Sequence, residues 1–267
     1  MENATITLSS GREMPVIGLG TWELHLDTAG AVERALAMGY RMIDTSGDYG
    51  TQPGVGEGIR RSGVPRDQIF VITKVELGDD AYEATKTNLD ELGLDFADLM
   101  LIHRPPDRGA GEDLWAGLIR ARNEGLTRDI GVSNYSIDQM KRLYDGSGEV
   151  PALNQIEWTP FGWSPEMLDF CGTEHIVIQA YSPLTRGDRL DDPTLGEIGT
   201  SYGKSAAQVL LRWDLQHGVV PIPKATSEAH QRENLDVFDF ELADADVTRL
   251  DQLNKLASAL GERVQYA

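Results

Sequence analysis

Along this 267-residue chain, eight short runs of aliphatic and β-branched residues alternate with amphipathic helical stretches, which commits it to strand–helix units around a parallel sheet. The strand ends fall near Leu19, Asp44, Lys74, His103, Ser133, Glu157, Ser182 and Lys224. Their spacing is roughly 25 to 30 residues apart from a longer last interval, and eight such units close into a (β/α)8 TIM barrel of about 250 residues, whereas five or six leave an open sheet. IFVITK, DLMLI and IVIQA are apolar throughout, as strands buried between a packed barrel interior and an outer ring of helices require. TAGAVERALAMGY, AYEATKTNLDELGL and GEDLWAGLIRARNEGL read as helices that stop at Gly39, Gly93 and Gly125, residues suited to a left-handed cap. Ahead of the first unit, TITLSSGREMPVIG predicts a β-hairpin turning at Ser-Gly and capping the closed end of the barrel. No linker, low-complexity stretch or shift of composition divides the chain, so residues 1–267 are expected to form one α/β domain.

Charge and composition exclude several partners. The 43 acidic residues against 24 basic ones leave a formal charge of −19, a field that repels nucleic acid and anionic membrane surfaces. The acidic residues are scattered, as in ELGLDFAD and DFELADAD, which describes a solvated surface; with only six Lys, adaptation to high salt is the sharper reading. No apolar run approaches the roughly 20 residues that span a bilayer. The single Cys171 excludes an internal disulfide framework, and the opening MENATITLSS has neither a basic nor an apolar leader segment, so a cytoplasmic protein is expected. A monomer is expected, and the acidic surface is compatible with a dimer.

The chemistry concentrates at three consecutive strand ends. Asp44 and Tyr49 follow RMIDTS, Lys74 closes IFVITK and His103 closes ADLMLIH, so a parallel barrel brings all four around the one mouth where such folds keep their active sites. Singly, each has a bland reading: Asp44 with Lys74 as a structural ion pair, Tyr49 as a half-buried aromatic, His103 as a core histidine. Together they describe carbonyl reduction, in which hydride reaches carbon while oxygen gains a proton. Tyr49 is the candidate general acid, and the ammonium of Lys74 is expected to bring its phenol down from the roughly 10 of free tyrosine. Asp44 holds Lys74 charged, and His103 either polarises the carbonyl through a hydrogen bond or helps relay the proton. No metal is expected, since only His103 among five histidines falls at a strand end and no ligand cluster or nucleophile elbow is visible. The hydride must come from a nicotinamide cofactor, and without G-x-G-x-x-G after a strand the binder is not a Rossmann domain.

GYRMIDTSGDYG, VITKV, LIHRPP, GVSNYS, NQIEWTP, YSPL and IPKATSEAHQRENL stand in the order and spacing of the aldo-keto reductases, which the chain resembles from GLGTW near residue 18 to about residue 254. The resemblance implies the same roles for Asp44, Tyr49, Lys74 and His103, with Tyr49 as general acid. It further implies that Ser133, Asn134 and Gln155 hold the nicotinamide carboxamide while the ring lies against Tyr181. Gly20, Thr21, Asp44, Ser182, Pro183, Leu184, Ile222, Pro223, Lys224, Ala225, Thr226, Ser227, His230, Glu233 and Asn234 complete the implied cofactor contacts, with Glu233 and Asn234 near adenine. The chain departs from the family at Ala225, where a hydroxyl residue is common, and at His230, where an arginine usually meets the 2′-phosphate. Arginine matches phosphate geometry and stays ionised, whereas histidine is mostly neutral near pH 7, so NADPH is expected with tolerance of NADH.

For the substrate, Trp22, Tyr49, His103 and Arg104 are expected to surround the carbonyl, with loops at 104–112 and 185–192 and the tail after 255 as walls. Arg104 stands where relatives often carry tryptophan. It either attracts a carboxylate or phosphate on the substrate or turns outward to pair with Asp107 or Asp113. Against the leading reading, an NAD(P)H-dependent oxidoreductase, stands a cofactor-binding interaction subunit of the same fold with slow turnover.

Overall fold

A computed structural model describes residues 4–261 and 263–266; the first three residues of MENATITLSS lie outside it. Strands β1 (Thr5–Thr7) and β2 (Glu13–Pro15) pair antiparallel, with Thr5 opposite Pro15 and Thr7 opposite Glu13. Between them Gly11 adopts φ +82, and its N–H donates to the Leu8 carbonyl at 2.8 Å. Eight parallel strands follow: β3 (Leu19–Gly20), β4 (Met42–Asp44), β5 (Phe70–Val75), β6 (Ala97–Ile102), β7 (Thr127–Ser133), β8 (Leu153–Glu157), β9 (Val177–Tyr181) and β10 (Val220–Pro221). Each pairs with its neighbours in chain order. The ring closes between its ends, where Gly18 N–H donates to Pro221 O at 3.1 Å, Gly20 N–H donates to Pro223 O at 3.3 Å, and Gly20 bridges Lys224. A Cβ on Gly20 would sit 2.7 Å from the Ile222 carbonyl oxygen, so a residue without a side chain is what lets the first and last strands meet.

Between the strands run α1 (Thr28–Met38), α2 (Gln52–Ser62), α3 (Ala81–Leu92), α4 (Glu112–Asn123), α5 (Ile137–Ser147) and α6 (Pro165–Thr173). Two further helices, α7 (Pro193–Tyr202) and α8 (Ala206–Gln216), both precede β10 and account for the longer last interval. Helices α9 (Glu228–Leu235) and α10 (Asp244–Asp251) follow it. The sequence signals hold at the helix ends: Gly39 and Gly93 cap α1 and α3 at φ 109 and 63, and Gly125 follows α4 at φ 82. Strands β5 and β6 are buried at every position, as their unbroken apolar runs require. The last strand stops at Pro221 rather than near Lys224, because Pro221 and Pro223 have no N–H to extend the ladder.

The hairpin lies under the N-terminal ends of the strands, opposite the site. Arg12 pairs with Asp98 at the start of β6 (3.5 Å) and with Asp129 in the first half of β7 (3.2 Å). Leu8 and Met14 are buried against the barrel interior with Met42, Phe70 and Leu99. This is the closed-end cap that the sequence implies.

Candidate active site

At the opposite mouth, Lys74 is the deepest charged group. Its side chain is fully buried, because β5 carries it into the ring just before the strand ends. Burial of an ammonium demands full pairing. Nζ donates to Asp44 Oδ1 and Oδ2 at 2.9 and 3.0 Å and to the Thr45 carbonyl at 2.7 Å. It also lies 3.4 Å from the Tyr49 hydroxyl. Burial works against its charge, but the Asp44 carboxylate and Tyr49 more than offset that, so the ammonium is held above its ordinary range. Asp44 closes β4 and accepts a further hydrogen bond from Gln155 Nε2 of β8 at 2.7 Å. Tyr49 ends a short 3-10 turn, Gly47–Tyr49, that swings it back over the mouth.

Tyr49 departs from the sequence expectation in one respect. Burial raises its phenol above the ordinary tyrosine value; Lys74 pulls it down, but Asp44 and Asp48 add to the rise. The reason is that Asp44 largely neutralises the ammonium at contact distance, so desolvation decides the direction. The group is therefore a neutral phenol over the whole physiological range, the form that can give a proton.

His103 follows β6 directly, with its ring edge-on to Tyr49 at a centroid distance of 5.6 Å. Its Nδ1 lies 2.6 Å from Glu76 Oε1 and 3.6 Å from Asp48 Oδ1. Glu76 is a site residue that motif reasoning missed: it comes just after β5, two positions beyond Lys74, and only its parity with Lys74 along the strand hinted at the mouth. The expectation that no histidine–carboxylate cluster forms is corrected here, since Asp48, Glu76 and His103 bring candidate ligand atoms within 4.8 Å of one another. Glu76 is hydrogen-bonded to His103 and to Ser46, and Asp48 Oδ1 lies 3.6 Å from the same ring nitrogen of His103. Arg104 is exposed, as its outward reading has it, but among the described residues it pairs with neither Asp107 nor Asp113. Its charge helps to lower Glu76 and opposes the rise of Tyr181. Trp22, 36% exposed, reaches across the mouth from the loop after β3 and carries the Arg186 guanidinium 4.2 Å over its ring.

The other residues singled out in the sequence divide into a networked end and an open end. Tyr181 donates from its hydroxyl to Asn134 Oδ1 at 2.8 Å, Asn134 donates to Ser133 Oγ at 3.0 Å, and Ser133 donates to the Gln155 carbonyl at 2.8 Å. Asn134 holds φ +65 and Ser182 φ +49, left-handed backbone that reaims both side chains beside the mouth. Thr21 donates to the Asp44 carbonyl at 2.9 Å, so with Gly20 it supports the tetrad from β3. Pro183, Ile222 and Pro223 are buried, and Leu184 packs against the core. Ala225 is buried in the core cluster, leaving only its backbone for a ligand. Ser227 uses its hydroxyl to cap α9, accepting from His230 N at 3.2 Å.

Lys224 is exposed and pairs with Glu23 at 3.5 Å, and Thr226 and His230 are exposed beside it. Arg34, which no motif flags, donates to the Thr226 carbonyl at 3.2 Å and pairs with Asp27. Glu233 is half-buried, and the Asn234 Nδ2 is buried with no partner among the described residues. A nicotinamide dinucleotide fits this set: an aromatic flanked by amides at one end, then cationic groups, then an unused amide donor. The tail beyond 255 folds over the top of β8, where Ser258 Oγ and Ala259 N donate to Glu157 at 2.5 and 2.6 Å.

Comparison with known proteins shows the family. The sequence model of the Aldo/keto reductase family matches residues 16–255. The uncharacterized oxidoreductase YtbE of Bacillus subtilis is 42% identical over 262 residues, covering 94% of this chain and 93% of that protein. A glyoxal reductase of the same organism is 41% identical over 257 residues, with 94% and 93% covered. Among solved structures, a Bombyx mori aldo-keto reductase in complex with NADP superposes with a TM-score of 0.89 at 36% identity, covering 96% of this chain and 94% of that one.

Proposed function

The chain belongs to the aldo/keto reductase family, and on that premise we propose that it reduces an aldehyde or ketone to an alcohol with NADPH, Tyr49 giving the proton. The observation that carries this reading is the fully buried Lys74, bound to Asp44 at 2.9 Å and facing the Tyr49 hydroxyl at 3.4 Å. A structural ion pair needs no phenol beside it. Bound NADPH supplies the hydride. Tyr181, Ser133, Asn134 and Gln155 would hold the nicotinamide, Tyr181 offering a flat aromatic face and the other three hydrogen-bonding groups for its amide. Tyr49 gives its proton to the carbonyl oxygen, and Lys74 stabilises the phenolate left behind, a charge that exists only once reaction has begun. The site draws on residues from Gly20 to Asn234, which supports residues 1–267 acting as one catalytic domain. Among the described residues no helix is long and apolar enough to cross a membrane.

For the cofactor, Lys224, Thr226 and Arg34 are the groups offered to the 2′-phosphate, and His230 stands in the place of an arginine. The expected result is a preference for NADPH over NADH in kcat/KM of less than about a thousandfold, or about 4 kcal/mol, which His230→Arg should widen. A larger preference in wild type, or one that His230→Arg leaves unchanged, would contradict the role of His230.

Arg104, exposed, without an ion-pair partner among the described residues and with its charge felt by Glu76 and Tyr181, supports an anionic group on the substrate. Arg104→Ala should then raise KM for glyoxylate more than for glyoxal, by about tenfold; equal effects on both would reject anion recognition.

A further inference from the structure

His103 faces the tetrad on one side and, on the other, a carboxylate that proton donation by Tyr49 leaves without a task. Glu76 Oε1 lies 2.6 Å from Nδ1 and also accepts a hydrogen bond from Ser46 Oγ at 2.9 Å. Ser46 Oγ is 3.4 Å from the same ring nitrogen, and Asp48 Oδ1 is 3.6 Å away. The second ring nitrogen, Nε2, has no hydrogen-bond partner among the described residues. An ionised carboxylate only accepts, so the hydrogen on the 2.6 Å contact belongs to Nδ1. Glu76 is in that ionised form: burial opposes it, but the hydrogen bond from His103, the charge of that ring, Ser46 and Arg104 outweigh burial and hold its carboxyl below the usual range.

Resting on the reading of Tyr49 as proton donor, we propose that Glu76 is a positioning residue that fixes the tautomer of His103, with the neutral ring protonated on Nδ1 and presenting the lone pair of Nε2 to the substrate. A neutral imidazole has a single N–H. If Glu76 holds it, neutral His103 accepts a hydrogen bond from an alcohol hydroxyl but has none to give a carbonyl oxygen. Donation to a carbonyl then requires the second proton, on Nε2, and the form that carries it is the imidazolium. Reduction is thus assisted by the charged ring and alcohol oxidation by the neutral one. The groups that face the ring and set this balance are Glu76 and Asp48 on the Nδ1 side, Tyr49 across its edge, and Arg104 beside Glu76.

The test is nitrogen NMR of the histidine ring in the cofactor-free protein, with pH raised until the ring signals no longer move and the ring is therefore neutral, and with the His103 signals identified by their loss in His103→Gln. Wild type is expected to carry the proton on Nδ1. In Glu76→Leu the Nε2–H form should appear, and in Glu76→Gln, which keeps size and removes charge, the two forms should mix. Kinetics supply a second readout: with saturating NADPH, the ratio of kcat/KM for para-nitrobenzaldehyde in Glu76→Leu to that in wild type should rise about tenfold between the pH at which NMR shows the wild-type ring charged and the pH at which it shows the ring neutral, the worth of one hydrogen bond to the reacting oxygen. A wild-type ring protonated on Nε2 when neutral, an unchanged tautomer in both variants, or a ratio constant with pH would overturn the proposal. Tyr49→Phe separates it from the reading it rests on. Normal turnover in that variant removes the proton-donor role while the tautomer measurement still stands, and an inactive variant with an unlocked wild-type tautomer removes Glu76 alone.

Discussion

Tyr49→Phe is expected to lower kcat for aldehyde reduction by about two to four orders of magnitude, the range that a positioned general acid supplies, while leaving the dissociation constant for NADPH within about twofold. The substitution removes one oxygen. It leaves the ring that packs edge-on against His103 and under Lys74 Nζ, 4.8 Å from its centroid, so the mouth keeps its shape. What is lost is the phenol that, among the described residues, lies within hydrogen-bond reach of Lys74, and with it the proton source whose conjugate base the ammonium stabilises. Because burial keeps the phenol above its ordinary value, the rate of reduction in wild type should show no loss below pH 9 attributable to Tyr49 ionisation. Melting temperature measured beside the kinetics separates lost chemistry from lost fold.

Lys74→Met carries the second large effect, and here stability falls along with rate. Methionine fills the volume of the stem but leaves Asp44, itself 1% exposed, as a buried carboxylate with only Gln155 donating to it. Breaking a buried pair from one side costs about 3–5 kcal/mol, which for a chain of this size is a drop in melting temperature of roughly 10 °C. Asp44→Asn with Lys74→Met should recover much of that loss, since no charge is then stranded, yet neither variant should regain reduction. The pH dependence follows from the raised value of Lys74. A base held above its unfolded value of roughly 10.4 contributes stability that is complete below that pH and is lost as pH rises through the folded value. The deficit of Lys74→Met against wild type should therefore stay level between pH 6 and 9 and shrink only in stronger alkali. A deficit that vanishes at neutral pH would show that Lys74 is not held charged in the barrel.

How much of this could be read from residues alone depended on whether a feature repeats. The barrel and its mouth follow from eight similar units, so an error of a residue or two at any one strand does not disturb the whole: β5 runs one residue past Lys74 and β6 stops one short of His103, and both side chains still reach the same opening. Features that depend on a single contact were hidden. Glu76 sits outside every recurring motif, and its role appears only when the loop after β5 folds back to put Oε1 at 2.6 Å from His103. Arg104 is open to two readings from sequence, an anion on the substrate or a pair with Asp107 or Asp113, and only the structure shows that its charge is felt by Glu76 and Tyr181. The direction of the Tyr49 shift was missed for a different reason: sequence names the charges near a phenol but not the water excluded from it, and here desolvation outweighs the ammonium. Arg34 belongs to the first class of omission, since it meets Thr226 across 192 residues of chain.

The most direct measurement is a single turnover: protein loaded with NADPH is mixed rapidly with excess glyoxal and the loss of nicotinamide absorbance is followed. Wild type should oxidise its bound NADPH in one exponential phase. Tyr49→Phe, shown to hold NADPH by fluorescence quenching in the same syringe, should keep its cofactor reduced over at least a hundredfold longer time. Oxidation in the Phe variant at close to the wild-type rate would contradict Tyr49 as the proton donor.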